Sequence, residues 1–134
     1  MRGSTVRHLY ILSVAGLLAG VVGCGSAPTA LSGGKPASHW VETLRTNPDA
    51  KERKAAAFKL GNVGPSDPAV LTALSEALKD RDATVRCEVI LALVKFGTAA
   101  REIVPKLTDL REHDRDSKVR NCAAKAAVKL QANE

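Results

Sequence analysis

DATVRCEVILALVKFG, residues 82–97, is the clearest helical segment of the chain. Its apolar residues recur at steps of three and four, as they do along one face of a helix; they are Val85, Val89, Ile90, Leu93 and Phe96. The Asp82 carboxylate can accept hydrogen bonds from the first amides of this helix, and Gly97 can adopt the left-handed conformation that ends it. The segment therefore predicts a capped amphipathic helix with one buried face.

The same pattern occurs three times along the chain. Each copy has an aspartate, an arginine four positions later and then an apolar helical face; the pairs are Asp49–Arg53, Asp82–Arg86 and Asp116–Arg120. The three arginines are 33 and then 34 positions apart. Repetition at this period predicts stacked supersecondary units instead of one globular core.

The repeated unit also carries a family resemblance. Asp, an apolar residue and Arg, followed by an Ala-rich amphipathic helix, resembles the second helix of HEAT-like repeats, most closely the short repeats of phycobilin-lyase-type proteins. Ankyrin and tetratricopeptide repeats have similar periods of about 33 and 34 residues, but their signature residues are absent from this sequence. The resemblance implies an all-α fold, an α-solenoid of about three antiparallel helix pairs in an armadillo-type superhelix.

The sequence divides into three parts. Residues 1–23 form a leader, 24–37 a flexible tether rich in Gly, Ser and Pro, and 38–134 the repeat domain. The expected repeats cover about residues 38–64, 67–97 and 98–131. Within them we expect helices over residues 38–46, 50–63, 67–79, 82–97, 98–112 and 117–131. Pro105 should kink the fifth of these helices.

The leader has the features of a bacterial lipoprotein signal peptide. Arg2 and Arg7 precede an uncharged run over residues 9–22, which is too short for a membrane span of about 20 residues. The run ends in Gly23-Cys24, which resembles a lipobox. That resemblance implies cleavage between Gly23 and Cys24 and a diacylglycerol on the Cys24 sulfur.

The residue after the cysteine bears on localisation. Gly25, in place of an aspartate, favours the periplasmic face of the outer membrane over the inner membrane within the cell envelope. The chain from Cys24 onward has 18 basic and 14 acidic residues, so its net charge is +4, against +6 for the whole chain. This small, mixed charge, with one Trp and two Phe, argues against nucleic-acid binding. The membrane contact would be covalent lipid.

The recurring arginines allow two interpretations. Arg53, Arg86 and Arg120 could line up along one ridge and bind an acidic partner. Alternatively, each arginine reaches the loop aspartate of an adjacent repeat and forms an inter-repeat ladder; those aspartates are Asp49, Asp82 and Asp116. We favour the ladder because both residue types recur together. For contact with a protein partner we expect lysines that do not repeat, Lys54, Lys95 and Lys125, although a solvated face would explain them nearly as well.

The sequence offers few groups for chemistry. Cys87 and Cys122 lie one and two positions after their arginines, and this offset favours buried free thiols over a disulfide. His39 and His113 fall in different repeats, and the His-Glu dipeptide of metal-dependent HEAT-like relatives is absent. No nucleophile elbow or phosphate-binding loop is present. We therefore predict no enzyme activity, cofactor, metal site or small-molecule substrate.

Together these features predict a membrane-anchored lipoprotein whose repeats act as a protein-interaction or scaffold module. Two alternatives stay open. The repeat resemblance leaves a lyase-like or chromophore-handling accessory protein, although fold similarity alone does not carry function. The third possibility is a structural envelope protein that self-associates through its open repeat ends. The sequence does not identify the partner.

Overall fold

A computed structural model describes residues 31–132 of the chain. The predicted leader, Gly23 and Cys24 at its predicted cleavage site, and the tether up to residue 30 lie outside these described residues. Within them the secondary structure is helical apart from one short hairpin, which confirms the all-α prediction. The α-helices are α1 (Ala37–Thr46), α2 (Ala50–Val63), α3 (Pro68–Ala77), α4 (Ala83–Lys95), α5 (Val104–His113) and α6 (Ser117–Gln131).

The helices pack as three stacked pairs. Helix α1 packs on α2, α3 on α4, and α5 on α6. The second helices of the pairs also pack side by side, so that α4 lies between α2 and α6, while α1 packs on α3. This arrangement confirms the predicted solenoid of helix pairs.

The buried face of α4 is the one that its periodicity predicts. Val85, Val89, Ile90 and Leu93 are completely buried. Small residues bring the neighbouring helices close together, since a Cβ atom built on Gly61 of α2 would lie 2.9 Å from the Cβ of Ala92 in α4. Leucine, isoleucine and valine therefore fill the interior, while glycine and alanine set the spacing between repeats.

Aspartates begin four of the described helices, and the cap predicted at Asp82 is one of them. The carboxylates of Asp49, Asp67, Asp82 and Asp116 each accept a hydrogen bond from a backbone N–H of the helix that follows. At the other end of α4, Gly97 has a φ of +55°, the left-handed conformation expected there.

Residues 31–37 differ from the predicted tether. Leu31–Ser32 pairs antiparallel with Lys35–Pro36, and the two glycines between them have φ values of +60° and +75°. The Trp40 Nε1 donates a 2.8 Å hydrogen bond to the carbonyl of Ser32, which joins the hairpin to α1. Helix α1 begins at Ala37, and the hairpin also packs against α2. The structured domain therefore includes residues that were predicted to be a flexible linker.

The helix predicted over residues 98–112 is divided into two. Gly97–Ile103 forms a 3-10 helix, and α5 begins only at Val104. Pro105 lies in the first turn of α5, where its missing N–H removes no helical hydrogen bond. The predicted helix is therefore interrupted directly before Pro105, which stands at the start of α5 and not inside one continuous α-helix.

Candidate protein-interaction surface

Two buried arginines connect successive repeats. Arg53 donates from Nε and Nη2 to the two carboxylate oxygens of Asp80, at 2.8 and 2.9 Å. Arg86 makes the same bidentate contact with Asp114, at 2.9 and 2.8 Å. All four side chains are at most 9% exposed. An inter-repeat ladder of charge-assisted hydrogen bonds therefore exists, as the repeated arginines predict.

The predicted acceptors of this ladder are wrong. Asp49, Asp82 and Asp116 direct their carboxylates at their own helices, with bonds of 2.8–2.9 Å from the backbone N–H groups of the second helical residues. The ladder aspartates, Asp80 and Asp114, stand two residues earlier in the loops. Each also accepts from the backbone N–H of the capping aspartate at 2.8 Å. The sequence signal that could have found them is the repeated Asp-Arg-Asp triplet.

The third arginine, Arg120, makes only one of the two kinds of hydrogen bond that Arg53 and Arg86 make. Arg53 and Arg86 each donate from Nη1 to carbonyls of their own repeat, at Asn47 and Asp80 respectively, in addition to their aspartate bonds. Arg120 makes the corresponding bond to the Asp114 carbonyl, at 2.8 Å. Within residues 31–132, no carboxylate accepts a hydrogen bond from it.

The ladder fixes the ionisation of its members. Burial alone would raise the pKa of Asp80, but the hydrogen bonds from Arg53 and from the backbone N–H of Asp82 outweigh it, so that the pKa is lowered. The pKa of Asp114 is lowered for the same reasons, with Arg86 as the donor. The hydrogen bond to Asp80 raises the pKa of Arg53. The ladder is therefore charged at neutral pH.

A second set of contacts joins the loops themselves. Arg81 donates from Nη2 to the carbonyl of Pro48 at 2.8 Å, and Arg115 donates to the carbonyl of Arg81 at 2.6 Å. These three residues hold the same position in successive repeats. The loop end of the stack is thus a structural scaffold, in which the charged groups are engaged with each other and with the backbone.

The solvent side of α2, α4 and α6, which we name the second-helix face, presents a different surface. Lys54, Lys95 and Lys125, the predicted partner-contact residues, are all exposed there. Sequence reasoning missed two apolar neighbours, Phe58 and Leu91, which are 46% and 51% exposed. Each stands five residues after the ladder arginine of its repeat, so a common repeat position could have indicated them.

Lys95 and Phe58 of this face are in contact. Lys95 donates from Nζ to the Asn62 side-chain oxygen at 2.9 Å, and the same nitrogen lies 4.7 Å from the centre of the Phe58 ring. A shallow groove of about 320 Å³ runs beside Leu91 and is lined by Lys54 among other residues. Exposed apolar side chains with a polar rim are found at protein-binding surfaces.

The HEAT-repeat family model matches the chain over residues 37–128. The chain belongs to the HEAT repeat family. The match covers all three helix pairs described above, from the first residue of α1 into the last turns of α6. No curated protein and no solved structure matches this HEAT-repeat chain.

Two cysteines of the second and third HEAT repeats lie together. Cys87 and Cys122 are free thiols, as predicted, but they are half-buried and not fully buried. Burial raises the pKa of the Cys87 thiol to about 12, and a hydrogen bond with the Cys122 thiol adds to the shift. The thiol is therefore protonated at neutral pH and poorly suited to act as a nucleophile.

The histidines of the HEAT domain are surface residues in different repeats. The His39 ring lies 3.2 Å from Lys35 Nζ, and the His113 ring lies 3.0 Å from Asp109 Oδ1. Between residues 31 and 132, no cluster of three or more His, Cys, Asp or Glu residues could hold a metal ion. In the same range none of the helices combines the length and apolarity needed to span a membrane.

Proposed function

We propose that this HEAT-repeat protein is a lipid-anchored scaffold that binds a protein partner through the second-helix face. The observation that carries the proposal is the pair Phe58 and Leu91, which are about half exposed at the same position of successive repeats. A helical stack gains no stability from two large apolar side chains in water. A partner that covered them would remove apolar area from water, at roughly 25 cal/mol per Å².

The charge of this face indicates the chemistry of the partner. Lys54, Lys95 and Lys125 are exposed on the second helices, while Glu88 is half-buried. Acidic groups on a partner would meet these lysines at the rim, where charges act mainly on the association rate and on specificity. We therefore expect a partner with apolar side chains flanked by Asp or Glu.

Quantitative capture from detergent-solubilised envelope tests this interface. The wild-type chain should retain a partner that Phe58→Asp and Leu91→Asp each reduce at least tenfold. Thr72→Asp is the matched control. Thr72 is exposed on α3, the first helix of its pair, and is therefore not part of the second-helix face. Equal capture by all four proteins would refute the second-helix face as the binding surface.

The proposed anchor is a diacylglycerol on Cys24, with cleavage after Gly23 and a destination at the periplasmic face of the outer membrane. Its support is the order of basic start, short uncharged run and cysteine in residues 1–24. Mass spectrometry of the N-terminal peptide should find an acylated cysteine, and Cys24→Ala should release the protein from the membrane fraction. An unmodified N-terminus on the wild-type protein would contradict the anchor but leave the interaction surface intact.

We propose a non-enzymatic role on the basis of what the described side chains already do. The loop carboxylates Asp80 and Asp114 are engaged by buried arginines, and those of Asp82 and Asp116 cap helices. The Cys87 thiol, with a pKa of about 12, is protonated at neutral pH. Binding by shape and charge therefore accounts for this set of residues better than acid–base or nucleophilic catalysis does.

A further inference from the structure

The N-terminal end of the described stack is covered. Lys59 in α2 holds the repeat position of Ala92 in α4, and Ala92 packs against Gly61 of the preceding second helix. A Cβ atom built on Gly33 would lie 3.0 Å from Lys59 Nζ. The hairpin of residues 31–36 therefore occupies the place where a preceding repeat would pack.

The C-terminal end lacks such a cover among the described residues. Gly61, Val94 and Val128 hold the same position in α2, α4 and α6. Gly61 is buried against the following helix and Val94 is half-buried, whereas Val128 is 64% exposed. The position that packs on the next repeat is thus open to solvent on α6.

Arg120 lies at the same end of the stack. The ladder arginines Arg53 and Arg86 contact both a carbonyl of their own repeat and a carboxylate of the next one. Arg120 makes the first contact, through Nη1 to the Asp114 carbonyl at 2.8 Å. In the described range 31–132 the second contact is missing. Each complete arginine–aspartate contact of the ladder is one rung. The geometry of the two rungs therefore defines where a carboxylate would meet Arg120.

At the N-terminal end of the described stack, the position of the ladder aspartate is occupied by an asparagine. Asn47 holds the position of Asp80 and Asp114, and its side-chain oxygen accepts from the backbone N–H of Asp49 at 2.9 Å. The amide thus makes the loop contact that Asp80 makes to Asp82 at 2.8 Å, without a carboxylate. The N-terminal end thus has an amide at the position of the carboxylate, whereas the C-terminal end has an arginine.

We propose that the C-terminal end of the described stack, with Arg120 and Val128, docks another polypeptide that presents an aspartate in the loop before a helix. The carboxylate would accept two hydrogen bonds from Arg120, as Asp114 does from Arg86. The helix that follows would cover Val128. The proposal rests on Arg120 and Val128 and does not depend on Phe58 or Leu91.

A second copy of this chain is a poor occupant. Its own hairpin covers the complementary end of the stack, as Gly33 and Lys59 show. It would also bring the neutral amide of Asn47 to Arg120 in place of a carboxylate. The favoured occupant is therefore a different polypeptide with an acidic loop.

A zero-length cross-link tests the proposal. In the full chain, Arg120→Lys keeps the positive charge and supplies an amine that carbodiimide can join to a carboxylate in contact with it. The variant is added to detergent-solubilised envelope, cross-linked and mapped by peptide mass spectrometry. Arg53→Lys is the matched control, since its amine should couple to Asp80 inside the same chain.

The expected product joins position 120 to an aspartate of another polypeptide. Arg120→Gln should reduce capture of that polypeptide at least tenfold, or about 1.4 kcal/mol, whereas Phe58→Asp should leave it unchanged. Within residues 31–132, Arg120→Gln removes only the bond to the Asp114 carbonyl, so it should lower the melting temperature less than Arg86→Gln, which also breaks the contact with the Asp114 carboxylate. The proposal is overturned if the control couples and position 120 gives no intermolecular product, or if the product is a second copy of this chain.

Discussion

Asp114→Ala should destabilise the stack far more than Asp116→Ala, although the two residues stand in the same loop. The Asp114 carboxylate accepts from Arg86 Nε and Nη2 at 2.9 and 2.8 Å, and from the Asp116 backbone N–H at 2.8 Å. The Arg86 side chain is only 5% exposed. Removing its partner leaves a buried, uncompensated charge, which costs about 3–5 kcal/mol.

Asp116→Ala and Asp109→Ala provide reference values for the loss of stability in Asp114→Ala. Asp116→Ala removes a helix N-cap, which costs about 1 kcal/mol. Asp109→Ala removes a carboxylate that is 74% exposed beside His113 and should cost less than about 0.5 kcal/mol. A domain of this size is stable by roughly 0.05–0.15 kcal/mol per residue. The loss at Asp114 is therefore a large share of the total, and the other two are not.

Urea unfolding followed by circular dichroism measures these differences. We expect the midpoint to fall in the order wild type, Asp109→Ala, Asp116→Ala and Asp114→Ala. Replacing both rung members, with Arg86→Met and Asp114→Leu in one chain, should cost less than Asp114→Ala alone because no charge is left buried. The reasoning is refuted if Asp116→Ala is as costly as Asp114→Ala, since Asp116 would then carry the ladder.

Three further predictions concern packing and pH. Leu93→Ala should cost about 2–5 kcal/mol because Leu93 is completely buried, and Leu91→Ala, at a 51% exposed site on the same helix, should change the melting temperature little. Gly61→Ala should lower the melting temperature although alanine favours helices, because the added methyl would lie 3.0 Å from the α4 backbone. The pKa values of Asp80 and Asp114 are lowered in the folded state, so these carboxylates stabilise the fold at any pH above the ordinary aspartate pKa of about 3.9. The free energy of unfolding should fall as the pH drops through the folded-state pKa values. Acid unfolding curves of Asp114→Asn should show less of this loss. A melting temperature that is unchanged by Leu93→Ala, raised by Gly61→Ala, or independent of pH between about 4 and 2 would contradict the respective prediction.

The helices could be predicted because their sequence signals are local and repeated. Helices α2 and α6 have the predicted bounds, Ala50–Val63 and Ser117–Gln131, since each begins after a capping aspartate and continues with a regular apolar face. The hairpin of residues 31–36 could not be predicted in this way. Two-residue strands are too short to show alternation, and their Gly-rich composition is also that of a linker.

The ladder shows a different limit of sequence reasoning. Spacing identified Arg53 and Arg86 correctly, because a buried arginine in each repeat must recur with the repeat period. Spacing could not decide which loop aspartate is the acceptor, since both aspartates of each Asp-Arg-Asp triplet recur with the same period. The choice depends on backbone geometry. The second aspartate of each triplet already lies at the N-cap position, which directs its carboxylate towards its own helix.

Because α4 lies between α2 and α6, the location of a substitution determines which inter-repeat interfaces of this short stack it weakens. In a repeat protein each unit is stabilised by its neighbours, so stability is approximately a sum over repeats and interfaces. The Arg53–Asp80 rung joins the first and second repeats, and the Arg86–Asp114 rung joins the second and third. Loss of either rung therefore weakens one interface, whereas a cavity at Leu93 weakens the repeat that both interfaces share. The described residues form three repeats, close to the smallest number that makes a stable array, so a substitution in the central repeat should cost more than the same substitution in either neighbour.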